Sequence, residues 1–178
     1  TANGSAATND SGKSIVISGL DEKFRPQTET ILVTGGTGTG TKIFARVFRA
    51  YISNGDTNIN RWVVSRGGVE VLRVSIGKAQ TLMAIYTVPA GRTGYLMKGT
   101  SSVQAGADAT VDMYVRYGGT GAFRIGHTLE VSGTGGQYEY DFALPVKLPE
   151  KTDIDVRASM RSNNARLTAA FDIILLDY

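Results

Sequence analysis

The chain has 178 residues, of which 42% are apolar and 20% charged, and it contains no cysteine. This composition is typical of a folded globular protein and excludes general disorder, disulfide bonds and thiolate metal sites. The formal net charge is +3, and the positive excess lies in residues 42–78, where seven basic residues accompany two acidic ones. The asymmetry predicts one basic face.

Residues 1–13 contain no apolar side chain larger than Ala. Such a segment buries too little apolar surface to offset the entropy of ordering it. We therefore expect an N-terminal arm that is flexible or ordered only against a neighbour. The chain begins with Thr1 rather than Met, so we also expect either a processed product or the ordered part of a longer protein.

From residue 14 onward the dominant hydrophobic period is two, which is the alternation of half-buried β-strands. The clearest runs are residues 111–117, 138–142, 153–160 and 167–175. Further strands are predicted at 14–18, 28–34, 60–65, 69–75, 81–88, 92–103 and 122–131. Residues 42–51 fit a strand better than a short helix because they are rich in Phe, Val and Tyr.

The segments between these runs are rich in glycine and asparagine, which tolerate the positive φ angles of tight turns. Ten to twelve short strands separated by such turns indicate an all-β fold, either an antiparallel sandwich or a barrel. Of the two we expect a jelly-roll-like antiparallel β-sandwich. The sequence thus predicts an arm over residues 1–13 and a single sandwich domain over residues 14–178. No stretch reaches the roughly 20 apolar residues that cross a bilayer, so we expect a soluble protein without a membrane partner.

A glycine run at residues 35–40, followed by Thr41 and Lys42, invites comparison with a phosphate-binding loop. That loop requires the order Gly-Lys-Ser/Thr before a helix, and neither feature is present, so a hairpin loop is the better interpretation. The single histidine, His127, cannot supply a pair of imidazole ligands and lies in a predicted strand, which favours a structural or surface role. The sequence contains no Gly-x-Ser-x-Gly motif that would support a catalytic triad, and we expect no enzymatic activity and no cofactor.

Asp153 and Asp155 are the weak candidates for a calcium site, because carboxylate oxygens are the ligands that calcium prefers. Their period-two spacing instead predicts a solvated or interfacial outer face of a strand whose other face carries Ile154 and Val156. Apart from this possibility we expect no metal site.

The basic segment suggests a protein interface, because arginine and aromatic residues are favoured in interface cores. The candidate residues are Arg46, Arg49, Arg61, Trp62 and Arg73. Nucleic-acid binding would use the same residue types. The net charge is modest for that function, so we expect no nucleic-acid partner.

Several strings of the chain have a family resemblance. Residues 19–30 read GLDEKFRPQTET and residues 80–95 read QTLMAIYTVPAGRTGY, and they are followed in order by residues 148–158 (LPEKTDIDVRA), 162–164 and 171–174. This series resembles virion structural proteins of tailed, largely marine bacteriophages over roughly residues 14–176. The resemblance implies association within a phage particle and no known catalytic residue.

The resemblance implies a capsid decoration or cement protein on the surface of the virion. Its expected partners are copies of itself, as a homo-oligomer, and the major capsid protein or other virion proteins. The alternative is a tail, fibre or baseplate component that contacts the host surface and binds carbohydrate through exposed tyrosines.

Overall fold

The computed structural model describes residues 2–4, 10–54, 57–133, 137–161 and 165–177. Within these ranges every regular element is a strand, apart from one 3₁₀ turn at Tyr117–Gly119. Contacts divide the chain into two compact units, Thr1–Met83 (unit 1) and Ala84–Tyr178 (unit 2). We predicted one domain over residues 14–178, whereas the strands group into a separate pair of sheets in each unit.

Unit 1 consists of two antiparallel sheets. Its strands in the described residues are β1 (Ala2–Gly4), β2 (Ser14–Leu20), β3 (Pro26–Leu32), β4 (Thr37–Gly38), β5 (Arg46–Ile52), β6 (Trp62–Arg66) and β7 (Val69–Val74). One sheet has the order β3-β2-β5 and the other β4-β1-β6-β7. Ile15 and Ala50 of the first sheet share a buried cluster with Trp62 and Leu72 of the second. The two sheets therefore pack face to face.

Unit 2 is a second sandwich. Its strands in the described residues are β8 (Ile85–Thr87), β9 (Arg92–Val103), β10 (Ala109–Arg116), β11 (Arg124–Val131), β12 (Gln137–Leu148), β13 (Asp153–Met160) and β14 (Leu167–Asp177). Its sheets have the orders β11-β10-β13-β8 and β12-β9-β14. Leu96 and Leu148 from one sheet and Met113 and Ile154 from the other form one buried cluster.

The connections of unit 2 define its topology. Each one crosses from one sheet to the other, except the β10–β11 connection, which stays within a sheet. The resulting strand orders are those of a jelly roll that lacks its first strand. The sequence-based prediction of an all-β antiparallel sandwich is confirmed. The strand interpretation of residues 42–51 is confirmed from Arg46 onward, where β5 begins.

The N-terminal segment differs from the expected arm where it is described. Ala2–Gly4 pair with both β4 and β6, and Asp10 is buried at 4% exposure. Backbone pairing positions residues 2–4 and polar contacts hold Asp10, and neither depends on large apolar side chains. A prediction based on apolar burial alone therefore missed these contacts. The rest of the predicted arm, residues 1 and 5–9, lies outside the described residues.

Candidate protein-interaction surface

Strands β10 and β13 place charged and aromatic residues on the outer face of unit 2. In their antiparallel register Tyr114 lies opposite Asp155 and Arg116 lies opposite Asp153. The alternate residue Ile154 is buried in the core of the unit, so these polar side chains lie on the opposite, outer face. Phe123, which precedes β11, joins them.

The four residues Tyr114, Arg116, Phe123 and Arg157 form what we call the arginine–aromatic surface. The guanidinium carbon of Arg116 lies 4.3 Å from the centroid of the Phe123 ring. That of Arg157 lies 4.5 Å from the Tyr114 centroid and 5.3 Å from the Phe123 centroid. All three distances are within the range of a cation–π interaction.

Two aspartates hold the arginines of this surface in place. Arg116 donates from Nε to Asp153 at 2.8 Å and its Nη2 lies 2.7 Å from the same carboxylate oxygen, Oδ2. Arg157 donates from Nε and Nη2 to Oδ2 of Asp155, at 2.8 and 2.7 Å. The guanidinium groups are therefore oriented before any partner binds, and ordering them on binding costs less entropy.

This arrangement suits recognition of another protein. Arginine and aromatic residues are enriched among the side chains that contribute most to interface affinity. The Arg157 side chain is 53% exposed, so its guanidinium group remains accessible beside Asp155. Its guanidinium groups can donate hydrogen bonds to a partner's carbonyl or carboxylate oxygens, while its ring faces contact apolar groups.

The calcium candidates have other contacts in the structure. Asp153 is buried rather than solvated, because Thr87 Oγ1 donates to its Oδ1 at 2.6 Å and Arg116 covers its Oδ2. Asp155 is paired with Arg157. A calcium ion would have to displace a guanidinium group from each carboxylate. Among the described residues no group of three or more His, Cys, Asp or Glu side chains is arranged to hold a metal ion.

Trp62 lies inside unit 1, at 2% exposure, and not on a surface available to a partner. Its indole Nε1 donates to Asp10 Oδ2 at 3.0 Å. The backbone N–H groups of Ile59 and Asn60 donate to the same carboxylate at 3.0 and 2.8 Å, and Lys13 Nζ lies 2.9 Å away. Trp62 was a reasonable interface candidate from its type alone, but its environment is that of a core residue.

The carboxyl group of Asp10 has a strongly perturbed pKa. Burial by itself would raise this pKa, but the hydrogen bonds from Trp62, Ile59, Lys13 and Asn60 together outweigh burial. They hold the pKa of Asp10 well below its usual range, because each favours the charged form. Asp10 is therefore a carboxylate at neutral pH.

The arginines predicted to form a basic interface in unit 1 occupy different sheets. Arg46 and Arg49 lie on β5, next to the core residues Val47 and Ala50, and so both point outward from the β3-β2-β5 sheet. Arg73 lies on β7 of the other sheet, where Nε donates to Glu70 at 2.7 Å. Arg61 is exposed just before β6. The structure does not gather these residues into one basic face.

The outward arginines on β5 have contacts within unit 1. The guanidinium carbon of Arg46 lies 5.3 Å from the Phe24 ring centroid. Arg49 donates to Gln80 Oε1 at 2.7 Å and lies 5.4 Å from the Tyr51 centroid. The contacts of Arg46 and of Arg49 thus resemble those of the arginine–aromatic surface in chemistry, but each involves a single arginine and a single ring.

The backbone that directly follows the glycine run of residues 35–40 binds a carboxylate from the same unit. Glu29 Oε1 accepts hydrogen bonds from the backbone N–H groups of Thr41 and Lys42 at 2.5 and 3.0 Å. Lys42 Nζ donates to the carbonyl oxygen of Thr28 at 2.6 Å. The groups that a phosphate would need are therefore engaged, in agreement with the hairpin-loop interpretation.

An apolar cleft of about 270 Å³ lies between β11 and β12 of unit 2. Its lining includes Met113, Phe142, Val146 and His127. The His127 ring packs 4.4 Å from the Tyr140 centroid. Within the described residues its buried Nε2 has no hydrogen-bond partner. The histidine therefore contributes chiefly to ring packing, as its position in a strand predicted.

The arginine–aromatic surface was missed by sequence reasoning. The alternation in residues 111–117 and 153–160 predicted which side chains face outward, but not that the two strands pair.

Comparisons with known proteins do not identify the chain: no protein-family model matches it, and no curated protein matches it significantly. The described residues contain no helix long and apolar enough to cross a membrane. The resemblance to phage proteins stays a prediction.

Proposed function

We propose that this chain is a structural protein of a tailed-phage virion, and specifically a decoration or cement protein on the capsid surface. The proposed partners are the major capsid protein or other virion proteins and further copies of the chain. The proposal involves no enzymatic activity, cofactor, nucleic acid or membrane. The phage assignment is supported by the sequence resemblance over residues 14–176.

The observation that carries the proposed binding role is the arginine–aromatic surface. Its guanidinium groups are oriented by Asp153 and Asp155 on a rigid sheet face. A rigid, pre-oriented set of such side chains provides affinity with little ordering cost. The jelly-roll order of unit 2 adds support at the level of fold, since jelly rolls occur in viral capsid proteins. Fold alone does not define function.

Copy number in purified particles tests the location. A decoration protein is expected at hundreds of copies per virion, measured by quantitative mass spectrometry against the major capsid protein. A handful of copies would instead favour the tail, fibre or baseplate alternative, and a glycan array would then test carbohydrate binding. Absence from purified particles would refute both.

Substitutions on the surface test the binding role. Arg157→Ala is expected to weaken binding to capsids that lack the protein by about 2 kcal/mol, or roughly 30-fold, because it removes a central arginine contact. Arg73→Ala is the matched control, because Arg73 is also exposed and paired with a carboxylate but lies in unit 1. Loss of binding in Arg73→Ala with normal binding in Arg157→Ala would assign the interface to unit 1.

A further inference from the structure

Strand β14 is a long edge strand that lacks proline and lysine, although its pairing with β9 shifts register between Asp172 and Ile173 and it carries Asp172 and Asp177. It pairs with β9 over all eleven of its residues, and among the described residues it pairs with no other strand. Natural edges are protected by proline, lysine, bulges or short length. The β14 sequence LTAAFDIILLD contains neither proline, lysine nor glycine.

The other three edges of unit 2 carry such protection. Strand β8 has only three residues. Strand β11 has a register shift in its pairing with β10 and carries charges at Arg124 and Glu130. Strand β12 shifts its register between Asp141 and Val146 and contains Pro145 and Lys147. Strand β14 differs from these edges because it combines a length of eleven residues with the absence of proline and lysine and carries only one charge, Asp172, before its last residue.

Among the described residues, no strand occupies the position on the open side of β14. Unit 2 has the strand orders of a jelly roll without its first strand, and in the complete fold that strand would pair with the one corresponding to β14. The outer face of β14 also carries Ile174 and Leu176, which are 49% and 52% exposed. An added strand would complete the hydrogen bonding of the edge and cover part of this apolar surface.

We propose that β14 of a second copy occupies this position, antiparallel across a two-fold axis, and joins two three-stranded sheets into one of six strands. The charges at the strand ends favour an identical partner. Arg166 precedes β14, and Asp177, which is 75% exposed beside Arg92, ends it. Antiparallel pairing brings the strand end that carries Arg166 in each copy next to the strand end that carries Asp177 in the other.

The proposed register is the one centred on Phe171. With Phe171 on the two-fold axis, Ala170 of one copy lies opposite Asp172 of the other. A register with Asp172 on the axis would place two like charges directly opposite, which is unfavourable. The Phe171 register avoids that repulsion and keeps residues of the same face together, because paired positions differ by an even number. This dimer does not depend on the proposed virion role, since it uses a different surface.

A charge series at residue 170 tests the dimer in the full chain. Wild-type protein is expected to sediment as a concentration-dependent dimer. Ala170→Asp places two pairs of aspartates opposite each other and is expected to raise the dimer Kd about tenfold or more. Ala170→Lys is the matched control, because lysine has a similarly low strand propensity but lies opposite Asp172 of the partner. Its Kd is expected to stay equal or fall.

The double variant Ala170→Asp with Asp172→Lys exchanges the charges and is expected to restore dimerisation. Circular dichroism and thermal melting check that each variant is folded. Hydrogen exchange of the wild type gives an independent readout, in which β14 amides become protected as concentration rises. A wild type that stays monomeric at high concentration, or a dimer that Ala170→Asp does not weaken, overturns the proposal.

Discussion

At the scale of single residues, the structure of unit 1 depends on the carboxylate of Asp10. This side chain joins the N-terminal segment to residues about fifty positions later, through the N–H groups of Ile59 and Asn60 and the indole of Trp62. Replacing a buried carboxylate that accepts several hydrogen bonds by a neutral group strongly destabilises the folded protein, because the donors lose their charged acceptor.

Asp10→Asn is expected to lower the free energy of unfolding of unit 1 by about 3 kcal/mol, as for other broken buried ion pairs. Urea denaturation followed by the fluorescence of Trp62 measures this change. Glu22→Gln is the control, because Glu22 is an exposed carboxylate in the same unit. It should alter stability by less than about 0.5 kcal/mol.

The same carboxylate predicts a dependence on pH. The pKa of Asp10 is lower in the folded chain than the value near 3.9 of an unfolded aspartate. Its stabilising contribution is therefore complete above about pH 4 and is lost as the pH falls further, because the unfolded state binds the proton first. The acid slope of stability should be shallower in Asp10→Asn, and an unchanged slope would contradict this assignment.

Residue-level prediction from sequence succeeded where local alternation decided the outcome and failed where a distant partner did. The pattern of residues 153–157 correctly separated Ile154 from its polar neighbours. It could not show that Asp153 is buried, because the cause is Arg116, which lies 37 positions away in the chain. Trp62 was misplaced for the same reason, since its partner Asp10 lies 52 positions away.

At the scale of elements, a register shift controls the pairing of β2 with β5. The shift falls between Ser18 and Gly19, and it allows Val47 and Ala50, three positions apart, to contact the same core. At this point the two backbones approach closely. A Cβ atom on Gly19 would collide with the carbonyl oxygen of Arg46 and would lie 2.9 Å from the Phe44 ring.

Gly19→Ala is therefore expected to destabilise unit 1 by about 3 kcal/mol, because backbone atoms cannot move aside as a flexible side chain can. Gly99→Ala on β9 is the comparison, since a Cβ atom there would meet nothing nearer than 4.0 Å. It should change stability by less than about 0.5 kcal/mol. Thermal melts of the two variants give the comparison, and equal losses would contradict the close approach.

The sequence predicted the bounds of a strand correctly where buried and exposed side chains alternate along most of its length. Residues 92–103 were predicted as one strand and form β9. The predicted strand at residues 81–88 is shorter in the structure, where β8 covers Ile85–Thr87. The apolar side chains of Leu82 and Met83 extended the pattern, but both are exposed and precede unit 2.

At the scale of the whole molecule, the sequence indicated the fold class but not the division into two units. The boundary follows Met83, inside a segment that was predicted to be one strand, so no change in composition marks it. The charge differs between the units: unit 1 has ten basic and six acidic residues, and unit 2 has nine and ten. The positive excess thus belongs to unit 1, although its arginines are dispersed over two sheets.

A fragment of residues 84–178 is expected to fold by itself, because unit 2 has its own pair of sheets and its own buried clusters. It should unfold in urea in a single cooperative transition, and it should keep the association through β14. A fragment with a broad, non-cooperative transition would show that unit 2 requires residues before Ala84. A folded fragment that stays monomeric would count against the β14 dimer alone.

The full-length pairing of β9 with β14 also has a mechanical consequence. Hydrogen bonds between antiparallel strands run perpendicular to the strand axes. Tension applied along β14 therefore loads all of its bonds to β9 in shear, and the bonds must yield together. Tension applied across the strand would break them one at a time. Unit 2 is thus built to resist a pull on its last strand along one direction far better than along the other.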